Sequence, residues 1–341
     1  MGLRGFIIKR VINSLILLMF VLTINFVIFE LMPGNPIETL AASGRLRPGQ
    51  TEEIFNLWGF NDPIPVRFGR YVVNMLQWQF GYSFSSKASV AYELNGRLTN
   101  TLLLVGTSSI LAIVIGIFLG VLAAYKRGGI FDSVSVVSSL TTYALPSFWM
   151  GMMALLIFSY NLHWFPSAGS VPTDWARAWP TPAWQGVILG IQISIPSLTE
   201  ITGRIYHLFL PMAVLTLFSY GGYLLLTRAT MLETLSEDYV VTARAKGLSE
   251  RTVLFRYALK NASLPIITNV ALTFAFLLTG AIITEQVFTY PGLGQWIWRS
   301  IGTADYPVMQ AIFYVIALCV IIANFAADLT YGLVDPRVKY G

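Results

Sequence analysis

Side chains able to do covalent or metal chemistry are few in this sequence and stand apart from one another. The two histidines, His163 and His207, each sit beside an aromatic or aliphatic neighbour at the edge of an apolar run. The one cysteine, Cys319, lies inside another run, which leaves no intrachain disulfide and no cysteine-based metal site. Acidic residues in or beside apolar runs are Glu30, Glu285 and Asp328. All three fall within a turn or two of a predicted span end, where water or headgroups can solvate them, and no relay of acids and histidines crosses an apolar middle. There is no GxxxxGKS/T phosphate loop, no HExxH pair and no GxSxG elbow. The chain is therefore expected to be no enzyme and to hold no catalytic residue, cofactor or metal. Any nucleotide that energises it must bind to another polypeptide.

The chemistry that remains is recognition, and it concentrates between Glu237 and Pro265, a charged stretch flanked by apolar ones. Thr234 followed by Glu237 reads as a capping-box pair, Tyr239 to Lys246 as about two turns of helix, and Gly247 as the left-handed residue that stops it. Leu248 supplies the apolar contact after the stop. Ser249 can cap a second helix, Glu250 complements its N-terminal dipole, and Asn261 with Pro265 separates that helix from the next apolar run. Tyr239, Val240 and Ala243 make a compact apolar face flanked by Arg244 and Lys246. On composition alone two destinations fit that face equally, the headgroup layer of a membrane or a groove in a soluble protein.

The surrounding elements belong to a membrane. Of 341 residues, 55% are hydrophobic and only 11% charged, more apolar surface than a soluble core can hide. Six runs are long enough to cross a hydrocarbon layer of about 30 Å: Val11 to Leu31, Thr101 to Tyr125, Val134 to Leu162, Leu208 to Leu226, Pro265 to Thr284 and Val308 to Ala327. The first follows Lys9 and Arg10 as a signal peptide would, but its run is too long and Met32 to Pro36 offers no small-x-small cleavage site, so it reads as a retained span. Val187 to Ile195 is too short to span and reads as an interfacial or strand-like piece of a loop. An extra crossing there would reverse the sidedness of everything after it.

Charge then orients the spans. Thirteen basic residues in short segments fall on one side (Arg4, Lys9, Arg10, Lys126, Arg127, Arg228, Arg244, Lys246, Arg251, Arg256, Lys260, Arg337 and Lys339), and the other nine fall mostly in two long loops. Both termini and the Glu237 segment are expected in the cytoplasm. The net charge of +5 is small, and its placement gives no reason to expect nucleic acid. The long loops, 33–100 and 163–207, lie outside; the first holds amphipathic candidates at Thr51 to Trp58 and Val66 to Trp78, the second is rich in Pro and Trp. Their aromatic residues fit a headgroup boundary and a partner-receiving surface equally well. Within the spans, Gly116 and Gly120 form a GxxxG step that permits close helix approach, and Pro146 and Pro211 kink or start their helices.

The Glu237 segment resembles the cytoplasmic EAA loop of ATP-binding-cassette importer permeases, in the dipeptide, oligopeptide and nickel branch. The resemblance rests on Asp238, Tyr239, Thr242, Ala243, Arg244, Ala245, Lys246, Gly247 and Leu248, followed by Asn261, Ala262, Leu264 and Pro265. It extends over nearly the whole chain: Met32 to Pro36, Gly81 to Phe84, Ala123 and Ala124 with Lys126 to Gly128, Pro146 to Trp149, Glu285 with Val287 and Phe288, Pro291 to Gly294, and Asp335 to Arg337. Departures are Val241 and Thr242 where the loop's name-giving Glu and first Ala stand in permeases generally, Gln79 and Phe80 for a frequent Asp-Leu, and a longer outer segment at 170–202.

The resemblance implies an all-α polytopic membrane protein with six transmembrane helices, the type I ABC importer permease fold and large extracytoplasmic loops. It divides into residues 1–32 with the first helix, a first outer loop region 33–100, and a permease core 101–341 holding the second outer loop (163–207) and the cytoplasmic coupling loop (229–264). It also implies a prokaryotic inner-membrane location and a homologous second permease. Two ATPase subunits would carry ATP and Mg, and an extracytoplasmic binding protein would deliver a peptide, nickel chelate or oligosaccharide. The nine residues from Asp238 to Leu248 named above would be the ATPase-coupling set, with Ala243 and Ala245 permitting close approach and Arg244 and Lys246 anchoring the rim. Two alternatives are a secondary carrier or channel, whose paired broken helices lined by ionisable groups are not apparent, and a membrane scaffold without transport.

Overall fold

A computed structural model of the chain describes residues 3–31, 62–176, 179–188, 191–276 and 281–334. The motifs at Met32 to Pro36 and Asp335 to Arg337 and the amphipathic candidate at Thr51 to Trp58 lie outside those residues, as does the side chain of Asp328. The described chain is overwhelmingly helical and divides into two compact units, residues 1–101, 267–282 and 292–341 in one, residues 102–266 and 283–291 in the other.

In the first unit, helix α1 (Leu3–Leu31) packs on the last helix, α12 (Tyr306–Val334), and on α2 (Ile64–Leu76). The amphipathic stretch at Val66 to Trp78 is helical as far as Leu76, and Pro65 sits in the first turn, where its missing N–H costs no helical bond. Its inward face puts Tyr71 and Met75 into a core with Leu22, Phe26, Phe29, Val308 and Ile312. The buried amide of Asn25 donates to the Tyr71 hydroxyl (2.8 Å) and to the Gln310 carbonyl (3.2 Å), so this polar group in an apolar helix is satisfied. Glu30, expected where water or headgroups can solvate it, is half-buried and accepts from Arg67 at 2.7 Å. Helix α11 (Leu293–Thr303) closes the core with Trp296 and Ile297. The Asp305 carboxylate beside it accepts from the Ser83 hydroxyl (2.6 Å) and from the backbone N–H groups of Phe84 and Ser85 (3.0 Å each), which explains the Gly81 to Phe84 motif as a turn gathered on a buried acid.

The second unit takes helix α3 (Val90–Tyr125) from Leu102 onward, α4 (Ile130–Ala144), α5 (Ser147–Ala154) with a π-helical extension over Leu155–Asn161, and the long α6 (Leu198–Leu235). A β-carbon at Gly116 would lie 2.5 Å from Tyr223 Cβ, and one at Gly120 2.6 Å from Thr227 Cβ, so the GxxxG step is a real seam between α3 and α6. Val134 to Leu162 is not one straight span. Leu145 precedes a proline and takes the extended backbone that position favours (φ −80°, ψ 134°), so α4 stops there and α5 leaves at 99° to it. Pro211, by contrast, is carried inside α6. Strands β1 (Trp184–Ile188) and β2 (Ile191–Ile195) pair antiparallel, Trp184 opposite Ile195, as the strand-like reading anticipates.

Among the described residues four helices are long and apolar enough to cross a membrane (within α1, α3, α6 and α12), or five if the bent α4–α5 pair counts as one crossing. The fifth predicted span falls on α9 (Leu259–Phe276) and α10 (Ile282–Val287). Glu285 in α10 is fully buried, a correction to its expected solvation: the helix continues past the predicted end at Thr284 and turns this side chain inward.

Candidate functional site

Helix α6 sets the position of the Glu237 segment. Its 38 residues measure about 57 Å at 1.5 Å per residue, roughly twice the hydrocarbon thickness of about 30 Å. The helix therefore extends past its apolar middle, and its C-terminal end carries the hairpin. Thr234 is still inside it: the Thr234 hydroxyl donates to the Thr230 carbonyl at 2.8 Å, which replaces the expected capping box. The link is only Ser236 and Glu237, the latter extended as the N-cap (φ −75°, ψ 145°) of α7 (Asp238–Ala245).

The stop of α7 is a Schellman motif. Gly247 is left-handed at φ +75°, its N–H donates to the Arg244 carbonyl at 2.9 Å, and the Leu248 N–H reaches the Ala243 carbonyl at 3.4 Å. Leu248 then folds its side chain onto the cluster of Val240, Ala243 and Val253, with Leu235 alongside. The returning strand of the hairpin is α8 (Glu250–Thr252), a π-helical turn over Val253–Ala258, and then α9. Asn261 and Pro265 do not separate a helix from a span, since α9 runs through both; a membrane helix can tolerate an internal proline where neighbours satisfy the freed carbonyl. Ser249 occupies the N-cap position ahead of Glu250, but its hydroxyl meets that of Thr252 at 2.9 Å instead of a backbone N–H.

The hairpin seam corrects one sequence expectation. Val240 and Ala243 are buried, at 0% and 3% exposure, because the Leu248 contact rolls that stripe of the helix against Val253. They do not share an outward face with Tyr239, which is exposed. The outward surface is instead Asp238, Tyr239, Val241, Thr242, Arg244, Ala245 and Lys246, all exposed, with Gly247 at its end. Arg244 is fixed along it by a forked pair to Glu250, Nε to Oε1 at 3.1 Å and Nη2 to Oε2 at 3.4 Å. Both partners are well exposed, so the pair sets direction and adds at most about 1 kcal/mol. Between this hairpin and the end of α3 opens a cleft of about 360 Å³, lined by Tyr125, Arg127, Leu232, Leu235, Arg244 and Glu250.

One cluster behind the hairpin escaped the sequence reading. Asp132, buried in the first turn of α4, accepts from Arg228 on α6 through both oxygens (Nε to Oδ1 2.5 Å, Nη2 to Oδ2 2.9 Å) and from the Gly128 N–H at 2.9 Å. The signal was an acid two residues ahead of a predicted span and one helical turn or so after the basic pair Lys126 and Arg127, in a chain with few acids.

The geometry is that of a solvent-facing two-turn helix, stopped by a Schellman motif and packed through Val240 and Ala243, at the end of a long apolar helix. Residues 116–340 match the family model of the binding-protein-dependent transport system inner membrane component, and residues 3–105 match that of the N-terminal region of such membrane components. The chain is 36% identical over 341 residues to an oligopeptide transport system permease protein of Bacillus subtilis, covering 99% of this chain and 100% of the relative. It is 35% identical to a di/tripeptide transport system permease of Pseudomonas aeruginosa and 34% identical to a dipeptide transport system permease of Escherichia coli K12, each over 93% of both chains.

Proposed function

This chain belongs to the family of binding-protein-dependent transport system inner membrane components, and from that premise we propose that it is one permease half of an ATP-driven importer of peptides. A homologous permease completes the pathway, a binding protein delivers peptide from outside, and two ATPase subunits carrying ATP and Mg grip the cytoplasmic hairpins. On the six-span reading both termini lie on one side, and the basic residues gathered in the short segments of that side support a cytoplasmic location. The peptide assignment rests on the names of the relatives, whose transport systems handle oligopeptides, dipeptides or tripeptides.

The observation that carries the coupling role is the hairpin itself: α7 is capped, braced from behind by Val253 and Leu248, and exposed along Tyr239, Val241, Thr242, Ala245 and Lys246. The coupling set divides by task. Asp238, Tyr239, Thr242, Arg244, Ala245 and Lys246 form the contact surface, while Ala243, Gly247 and Leu248 hold its shape. Closure of the ATPases displaces a rigid element and biases the spans between inward-open and outward-open states.

Ala245→Trp tests this directly, because it adds bulk to the outward face and leaves the buried seam intact. Loss of ATPase subunits from the affinity-purified complex, with a parallel loss of peptide uptake, is expected. Wild-type recovery of both would remove α7 as the docking element.

A further inference from the structure

The Asp132 and Arg228 pair has a geometry that an incidental surface ion pair lacks. Asp132 is 4% exposed, both of its oxygens are engaged by one guanidinium, and one of them also takes the Gly128 N–H. A planar fork held on two carboxylate oxygens fixes angle as well as distance, which a lysine point charge cannot do. Three elements meet at this carboxylate: α6 through Arg228, α4 through Asp132 itself, and the turn that ends α3 through Gly128.

Farther along the same helices the seams are tight without charge. Gly116 and Gly120 seat α3 on α6, and Gly221 of α6 leaves room for the backbone of Ser139 on α4, where a β-carbon would stand 2.9 Å from the Ser139 carbonyl oxygen. Arg228 lies two turns before the end of α6, hence two turns before the hairpin. Resting on the coupling role given to α7, we propose that Asp132 and Arg228 are positioning residues: they lock α3, α4 and α6 into one block, so that displacement of α7 passes into α4 as far as its break at Leu145 and Pro146. Without the fork, α6 can twist against α4 and the motion is spent at the hairpin.

The test uses the full complex with its ATPase subunits, comparing Asp132→Asn, Arg228→Lys and the double variant Asp132→Asn/Arg228→Gln. Backbone hydrogen exchange over residues 126–144 is followed without nucleotide and with the ATPases trapped by vanadate, and ATP hydrolysis is measured alongside. Two results are expected in the single variants: faster basal exchange at residues 126–133, and a nucleotide-induced exchange difference in α4 reduced at least about fivefold while hydrolysis continues. The double variant should be no worse than either single one, since the pair acts as a unit. An ion pair that only stabilises would lower the yield of complex and leave the nucleotide-induced difference intact, and that result overturns the proposal, as do unchanged basal exchange or losses that multiply in the double variant. Failure of the underlying coupling reading has its own signature, wild-type recovery of ATPase subunits and uptake in Ala245→Trp, and basal exchange at 126–133 then still decides whether the lock exists.

Discussion

Gly247 and Ala243 hold the same short helix by different physics, and substitution separates them. At Gly247 the backbone is left-handed and a β-carbon would meet nothing within 4 Å, so Gly247→Ala costs only the conformational penalty, about 1–2 kcal/mol. At Ala243 the backbone is ordinary and the surroundings are full, so Ala243→Leu must push Val253 or Leu248 aside at about 1–3 kcal/mol. The hairpin is a small unit that opens locally, so the measurement is hydrogen exchange over residues 238–258 and not the global unfolding midpoint. Ala243→Leu should accelerate exchange across that whole stretch and Ala245→Leu should not; equal protection in both would mean that Ala243 is not in the seam. This difference also marks what the sequence could show. A glycine followed by a leucine after two helical turns announces the stop, because few residues take that backbone. Which stripe of so short and alanine-rich a helix faces inward depends on where the chain returns, and Val253 is supplied by the next element.

Helices in this protein are packed by absence of side chains as much as by presence. The α3–α6 seam depends on Gly116 and Gly120, where an added β-carbon would fall 2.7 Å from the backbone oxygens of Tyr220 and Leu224, atoms that cannot swing away. Gly116→Val or Gly120→Val therefore has to push these long helices apart, and destabilisation of about 1–3 kcal/mol is expected, read as a lower thermal midpoint of the detergent-purified protein. Gly106 lies on the same helix with nothing near it, and Gly106→Ala should leave the midpoint in place. Equal midpoints for all three variants would contradict the close approach. The spacing of the glycines was legible in the sequence, but their partner helix was not, since apolar runs here are nearly uniform around their circumference. The break at Leu145 and Pro146 was half legible: the proline signalled an interruption, while the 99° turn reflects the extended backbone of the residue before it. Asp132 went unread because its partner is 96 residues away.

Sidedness is a property of the whole chain, and it decides whether the hairpin can meet cytoplasmic ATPases at all. The excess of basic residues in the short segments of one side predicts residue 249 inside and residue 167 outside. Between those two positions α6 is the one described helix long and apolar enough to cross. The β1–β2 pair ahead of it has strands of five residues, about half of what a membrane-spanning strand needs, so it adds no crossing and the parity holds. Cys319 is the single cysteine, which makes the test simple: Cys319→Ser provides a background into which Ser167→Cys and Ser249→Cys are introduced singly, both at exposed positions. A membrane-impermeant maleimide added to intact cells should modify the cysteine at 167 and leave that at 249 unmodified until the membrane is permeabilised. Modification of both in intact cells would mean that α6 does not cross, and modification of 249 alone would invert the protein. Either result would put α7 out of reach of ATP and end the importer reading, whereas the expected pattern leaves the hairpin on the side where ATP is available to drive it.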